Sequence, residues 1–229
     1  MATVANQLGP VLRQRVVFIG ASLLPLMETE DEVFAELRPT DDVDAVIITA
    51  SYVQKGALDE RLRAQGFRHE VSDRTHVDRW RSPSDVIFDC ISCGAHLGGT
   101  GNPDEFWVIN HAVDIDLPPQ VRHASAVGLL RLKLSAYADR GALDPLGSKD
   151  LSDIATLLAT RPPIVEEVQS SEPVVAAALA KRIRALLDTP RALSAIRAHV
   201  VERGPLFDGV EFQVIERLET LALAPKTPP

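Results

Sequence analysis

The sequence predicts an α/β fold followed by a helical C-terminal part, and three observations carry that prediction. Short β-branched and aromatic runs, "QRVVFIG" (14–20), "VDAVIIT" (43–49) and "SDVIFDCIS" (84–92), recur through the first half. From Ser125 onward these give way to leucine- and alanine-rich segments punctuated by Pro or Gly. The chain has 229 residues, 45% of them hydrophobic, enough for one large domain or two modest ones. The division falls between a mixed α/β core over 1–122, its sheet flanked by helices, and a helical domain over 123–229.

Each element has its own local reason. The first run ends at Gly20 and reads as a strand entering a tight turn. "ASLLPLMETEDEVFAELR" is helical in part, interrupted by Pro25 and an acidic cluster. "VDAVIIT" is nearly continuous in apolar residues, the pattern of a strand covered on both faces. "KGALDERLRAQG" spaces Leu58 and Leu62 as i and i+4 and closes on Gly66, a short amphipathic helix. "FRHEV" and "THVDRW" pair as a hairpin across "SDR". "SDVIFDCIS" is a third strong strand with Asp89 inside it. The glycine-rich "CGAHLGGTGNPDE" (93–105) reads as a loop, and "FWVINHAVDIDL" as one or two further strands. "SAVGLLRLKLSAYADRG" opens on a capping Ser125 and ends at Gly141. The segments after it are helical, with "GVEFQVI" the one stretch there with a strand-like pattern.

Composition narrows the setting. The formal charge of −8 argues against a nucleic-acid coat protein but leaves room for a local basic face. Such a face is predicted over 181–203, where Lys181, Arg182, Arg184, Arg191, Arg197 and Arg203 outnumber Asp188 and Glu202. Two cysteines cannot build a disulfide framework, so a reducing, cytoplasmic location is expected. No apolar stretch reaches the roughly 18–20 residues a membrane span needs, and the N-terminus has no secretory leader pattern. "CISC" (90–93) reads as two small buried side chains rather than half of a zinc or redox site.

One constellation carries chemistry. Asp42 and Asp44 stand at i and i+2 at the mouth of a strand, so both point to one face. Asp41 precedes them, and Arg38 and Thr40 fix the turn. Paired carboxylates repel unless a cation lies between them. Asp89, inside a separate strand, would be costly to bury without a partner. Lys133, Tyr137 and Arg140 share one helical face. Three carboxylates on adjacent strands can hold two divalent ions that grip a triphosphate and activate an attacking oxygen. The Gly20-Ala21-Ser22 turn offers N–H groups and a hydroxyl to phosphate oxygens. The plainer alternatives are aspartates that face solvent in a turn and a surface lysine at 133.

At "VVFIGAS", "LRPTDDVDAVI", "LRAQGF", "VIFDCIS", "GLLRLKLSAYADRG" and "KDLSDIATLL", over residues 14–160, the sequence resembles the DNA polymerase β-like nucleotidyltransferases. More narrowly it is similar to the AbiEii/AbiGii toxin-type family of bacteria. The resemblance implies a nucleotidyltransferase core completed by a helical domain. Asp42, Asp44 and Asp89 would be the metal and catalytic carboxylates for Mg²⁺ or Mn²⁺, with Asp89 on the base side of the site. Lys133 would contact the triphosphate, with Gly20, Ser22, Arg140 and Asp150 also binding nucleotide. Lys149, Asp150 and Asp153 fall in a further family motif. The implied activity is transfer of NMP from an NTP to an acceptor hydroxyl. An RNA (tRNA) end is the expected acceptor and an antitoxin protein the expected partner, in a toxin–antitoxin or phage-defence system, with no membrane involved. The alternatives are a small-molecule or protein nucleotidyltransferase, and a non-catalytic relative that binds nucleotide or a partner. Two departures from the family pattern stand out. Gly20-Ala21-Ser22 replaces the usual Gly-Gly or Gly-Ser, and "METEDEVFAE" lengthens the segment before Asp42.

Overall fold

The computed structural model describes residues 1–27, 40, 42–70, 77–95, 99–115, 119–202 and 208–223. Arg38, Asp41, Arg203 and the acidic cluster after Met27 lie outside the described residues. The predicted class holds: the chain is α/β, with a mixed sheet flanked by helices and a helical C-terminal part. Its contacts resolve into two compact units, Met1–Leu23 with Pro39–Leu129, and Leu24–Arg38 with Leu130–Pro229. The sequence division at 122/123 therefore differs from the structural one at Leu129/Leu130, and the first unit is interrupted in sequence.

The first unit opens with two short helices, α1 (Ala2–Gln7) and α2 (Gly9–Arg13), then β1 (Val17–Ile19). Gly20 leaves β1 with φ +83, in the left-handed region that a side chain disfavours. A 3₁₀ turn over Ala21–Leu23 ends this stretch of the first unit, and α3 (Leu24–Met27), with Pro25 in its first turn where no N–H partner is needed, belongs to the second unit. β2 (Asp42–Ile48) has Val43, Ala45, Val46 and Ile47 buried, as its apolar run predicts. α4 (Tyr52–Ala64) is capped by Ser51, whose Oγ accepts the Gln54 N–H at 3.3 Å, and Gly66 (φ +83) ends the turn beyond it. β3 (Arg68–His69) and β4 (Arg79–Arg81) form the predicted hairpin, pairing His69 with Trp80. β5 (Ile87–Cys93) follows.

The "FWVIN" stretch belongs to α5 (Pro103–Asn110), not to a strand. Asn102 accepts the Asp104 N–H at 2.9 Å, Pro103 holds the first helical position, and Asp104 and Glu105 sit at the positive end of the helix dipole. That start signal outweighs the β-propensity of Trp107, Val108 and Ile109. β6 (Val113–Ile115) and β7 (Val121–His123) complete the sheet. Among the described residues seven strands run in the order β3-β4-β5-β2-β1-β7-β6. The β2/β5 and β1/β7 pairs are parallel and the others antiparallel.

α6 (Ala126–Ala136) begins at Ser125, whose Oγ accepts the Gly128 N–H, and the unit boundary falls inside this helix. A π-helical turn over Tyr137–Gly141 follows. In the second unit α7 (Lys149–Thr160), α8 (Ile164–Gln169), α9 (Pro173–Leu187), α10 (Pro190–Val201) and α11 (Val210–Ala222) pack together. α7 is buried from Leu151 to Thr160 except Ser152 and contacts α3, α10 and α11. The strand-like "GVEFQVI" stretch is likewise helical. Gly209 (φ +81) starts a helix, and Val214, Leu218, Leu221 and Ala222 are buried at helical spacing. Among the described residues no helix is long and apolar enough to cross a membrane.

The non-site face of the sheet near β4 is held by aromatic packing. Trp80 is 1% exposed, meets His69 edge-on at 4.7 Å and carries the Arg63 guanidinium 5.5 Å from its ring centre. Trp80→Ala should lower stability by about 3–5 kcal/mol, read as a shifted urea midpoint by circular dichroism. A change under about 1 kcal/mol would show that this face is not the packed core described.

Candidate metal centre

Register brings the acidic residues together. β2 and β5 pair in parallel with Asp44 directly opposite Asp89, and Asp42 lies two residues back on the same face. One carboxylate oxygen from each of Asp42, Asp44 and Asp89 comes within 4.8 Å of the others. Asp89 is buried and the other two are half-buried. At that separation two like unit charges repel by about 3 kcal/mol at an effective dielectric near 20, so the cluster favours a counter-cation. An all-oxygen carboxylate set is the donor chemistry of Mg²⁺ or Mn²⁺ rather than of softer metals. The three residues predicted from sequence could hold a metal ion.

Neighbouring residues are shaped to that cluster. Thr40 donates its hydroxyl to Asp42 Oδ1 at 2.7 Å and so orients that carboxylate. β1 is antiparallel to β2, pairing Ile19 with Asp44, which sets Gly20 against the Asp44 side chain. A Cβ at Gly20 would overlap Asp44 Oδ2 and stand 2.8 Å from Cγ. Gly20 therefore leaves the space that the carboxylate occupies. Ser22 Oγ is buried and has no hydrogen-bond partner among the described residues. A buried hydroxyl without a partner costs free energy, and here it sits two residues after Gly20 in the turn predicted to face phosphate.

Sequence reasoning missed Arg79. Its Nε donates to Asp89 Oδ1 at 2.9 Å and its Nη2 to Oδ2 at 2.7 Å, a bidentate pair between β4 and β5. The two residues are register partners, but the hairpin carrying Arg79 gives no sequence signal that ties it to Asp89. The partner that a buried Asp89 requires is thus a guanidinium.

Lys133, Arg140, Asp150 and Asp153 converge in the second unit. Lys133 Nζ lies 3.2 Å from Asp150 Oδ1 and 2.6 Å from Asp153 Oδ2, with side chains 14%, 6% and 2% exposed. Arg140 grips Asp150 through Nε at 2.8 Å and Nη2 at 3.1 Å. Ser148 caps α7 by accepting the Leu151 N–H, and Lys149 is exposed beside it. Tyr137 is buried, and burial raises its phenol pKa.

The remaining motifs are structural. Cys90 and Cys93 are both buried and free, as read from sequence. Burial pushes the Cys90 thiol up, and burial with Glu105 nearby pushes Cys93 up to about 12. Neither is a reactive thiolate near neutral pH. His123 is buried against the Ala124 carbonyl, and desolvation lowers its pKa. On the predicted basic face Lys181, Arg191 and Arg197 are exposed. Arg184 is exposed too and donates to the Ala222 carbonyl at the end of α11, whereas Arg182 is half-buried and donates to the Arg131 carbonyl.

Compared with known proteins, the chain matches no family model and no curated protein.

Two outcomes follow. Gly20→Ala forces a Cβ into the Asp44 carboxylate at a left-handed φ. It should weaken Mn²⁺ binding at least tenfold and cost about 1–2 kcal/mol of stability, read by calorimetric titration and thermal melting. Unchanged Mn²⁺ affinity would separate Gly20 from the site. Lys133→Met leaves Asp153 buried beside Asp150 without its ammonium partner. The expected loss is about 3–5 kcal/mol in urea unfolding, and a variant as stable as the wild type would assign Lys133 no structural part.

Proposed function

We propose that this chain is a divalent-metal-dependent nucleotidyltransferase that moves NMP from an NTP to an acceptor hydroxyl. One observation carries the reading: Asp42, Asp44 and Asp89 meet within 4.8 Å, beside a glycine turn shaped to Asp44. These three residues would hold Mg²⁺ or Mn²⁺, which supplies Lewis-acid charge to the triphosphate oxygens and eases ionisation of the attacking hydroxyl. The chain's own groups position the reactants. Thr40 sets the direction of Asp42, Gly20 makes room for Asp44, and the Ser22 hydroxyl is available to donate to a phosphate oxygen. In the transfer the acceptor oxygen bonds to the α-phosphorus as the α–β bridging bond breaks. Pyrophosphate leaves with that electron pair, and the proton of the acceptor hydroxyl passes to the Asp89 side of the site and on to solvent. The sequence resemblance further suggests Lys133, Arg140 and Asp150 as nucleotide contacts.

An RNA end is the acceptor we place first, supported by the exposed Lys181, Arg191 and Arg197 on an acidic chain. A toxin role with an antitoxin partner rests on the sequence resemblance. A second reading, nucleotide binding without turnover, is favoured by one observation, the engagement of both Asp89 oxygens by Arg79.

The test is incubation of the purified protein with each α-labelled NTP, total tRNA and Mg²⁺ or Mn²⁺. Metal-dependent label on RNA is expected, with a loss of at least 100-fold in Asp44→Asn and a folded variant by circular dichroism. Label on protein would move the acceptor to a polypeptide. Metal-dependent NTP binding with no transfer to any acceptor would favour the second reading, and full activity in Asp44→Asn would end the first.

A further inference from the structure

The Arg79–Asp89 pair has a consequence for how the carboxylates share a cation. Arg79 occupies both oxygens of Asp89, so whichever oxygen faces Asp42 and Asp44 already accepts a hydrogen bond from the guanidinium. The pair is shielded, with side chains 18% and 13% exposed, which weakens solvent screening. Its geometry is bidentate and in register across β4 and β5, so backbone pairing supports it as well as charge. Arginine cannot lose its proton to relieve the conflict at any ordinary pH. Asp42 stands in a different environment, its Oδ1 held by a neutral hydroxyl from Thr40. The three carboxylates are therefore unequal. Asp42 is oriented by a neutral hydroxyl, whereas Asp89 already faces the full positive charge of Arg79.

We propose that Arg79 is a positioning residue that clamps Asp89 and competes with a divalent cation for its carboxylate, so that it sets the metal affinity of the centre. The inference rests on the metal reading above and adds a residue which that reading does not contain. Arg79 keeps Asp89 directed at the pair despite repulsion between like charges. It also places a fixed positive charge next to any cation bound there, which raises the cation concentration needed to recruit Asp89. A divalent ion held by all three carboxylates must share Asp89 with the guanidinium or displace it. Arg79 thus makes full occupation of the centre conditional on sharing or releasing Asp89.

The experiment is a titration of metal-stripped full-length protein with Mn²⁺ alone, followed by calorimetry and by the electron paramagnetic resonance signal of the free ion. Wild type, Asp44→Asn and Arg79→Gln are compared. Arg79→Gln is expected to bind Mn²⁺ about tenfold more tightly than wild type and to melt at a lower temperature without metal. Tighter binding in a less stable protein is the opposite of what simple structural damage produces. Mn²⁺ binding by wild type that is lost in Asp44→Asn but equal or weaker in Arg79→Gln would overturn the Arg79 proposal and leave the metal reading intact. No Mn²⁺ binding at millimolar concentration by either wild type or Arg79→Gln would overturn both. A wild type that does not bind beside an Arg79→Gln that does would support the proposal.

Should Arg79→Gln not fold, the wild type alone still decides. The Arg79 Nε–H resonance, assigned by through-bond correlation to the Arg79 backbone, should shift saturably as Mg²⁺ is added, with the midpoint found by calorimetry. A resonance that stays fixed through saturation would show that Asp89 is never recruited and would overturn the proposal.

Discussion

Parallel pairing of β2 with β5 is the constraint on which the candidate centre depends. In that register Asp44 lies opposite Asp89, and the two-residue period of a strand puts Asp42 on the same face. A one-residue slip of β2 would turn Asp42 and Asp44 away from Asp89, toward the face where Val43, Ala45 and Phe88 are buried. The apolar run of β2 and the Phe88–Phe67 contact at 5.6 Å favour only the observed arrangement. The same hydrophobic burial that fixes the sheet therefore places like charges side by side.

Charge compensation then recurs in both units. In the first, Arg79 answers Asp89, and Lys55 on α4 is hydrogen-bonded to Asp78, with burial opposed by those carboxylate contacts and the Lys55 pKa raised on balance. In the second, α7 is buried over most of its circumference and carries Asp150 and Asp153 inward, so Lys133 and Arg140 must follow them. Removing one member of such a group costs more than the pair contributes, because the remaining charge stays buried. Lys133 is thus tied to the packing of its own unit, whatever else it touches.

Terminal chemistry decides element type where hydrophobic runs are ambiguous. Asn102, Pro103 and two acidic residues make α5 a helix although its middle is rich in strand formers. Gly209 does the same for α11, after which the apolar residues recur at helical spacing. Short apolar runs suit either a buried strand or a buried helix, and the caps supply the missing information.

The sequence by itself determined the α/β class, the two strong strands that carry the aspartates, the helix start at Ser125, and the candidate aspartates. Those features are local, written in periodicity, capping residues and carboxylates at i and i+2. Tertiary structure alone decided that Asp44 faces Asp89, that Gly20 makes room for the Asp44 carboxylate, and that Arg79 holds Asp89 from a neighbouring strand. It also decided that Arg184, though exposed, donates to the Ala222 carbonyl at the end of α11. These facts depend on strand register and helix packing between residues far apart in the chain, and no local pattern encodes which cation a buried carboxylate will meet.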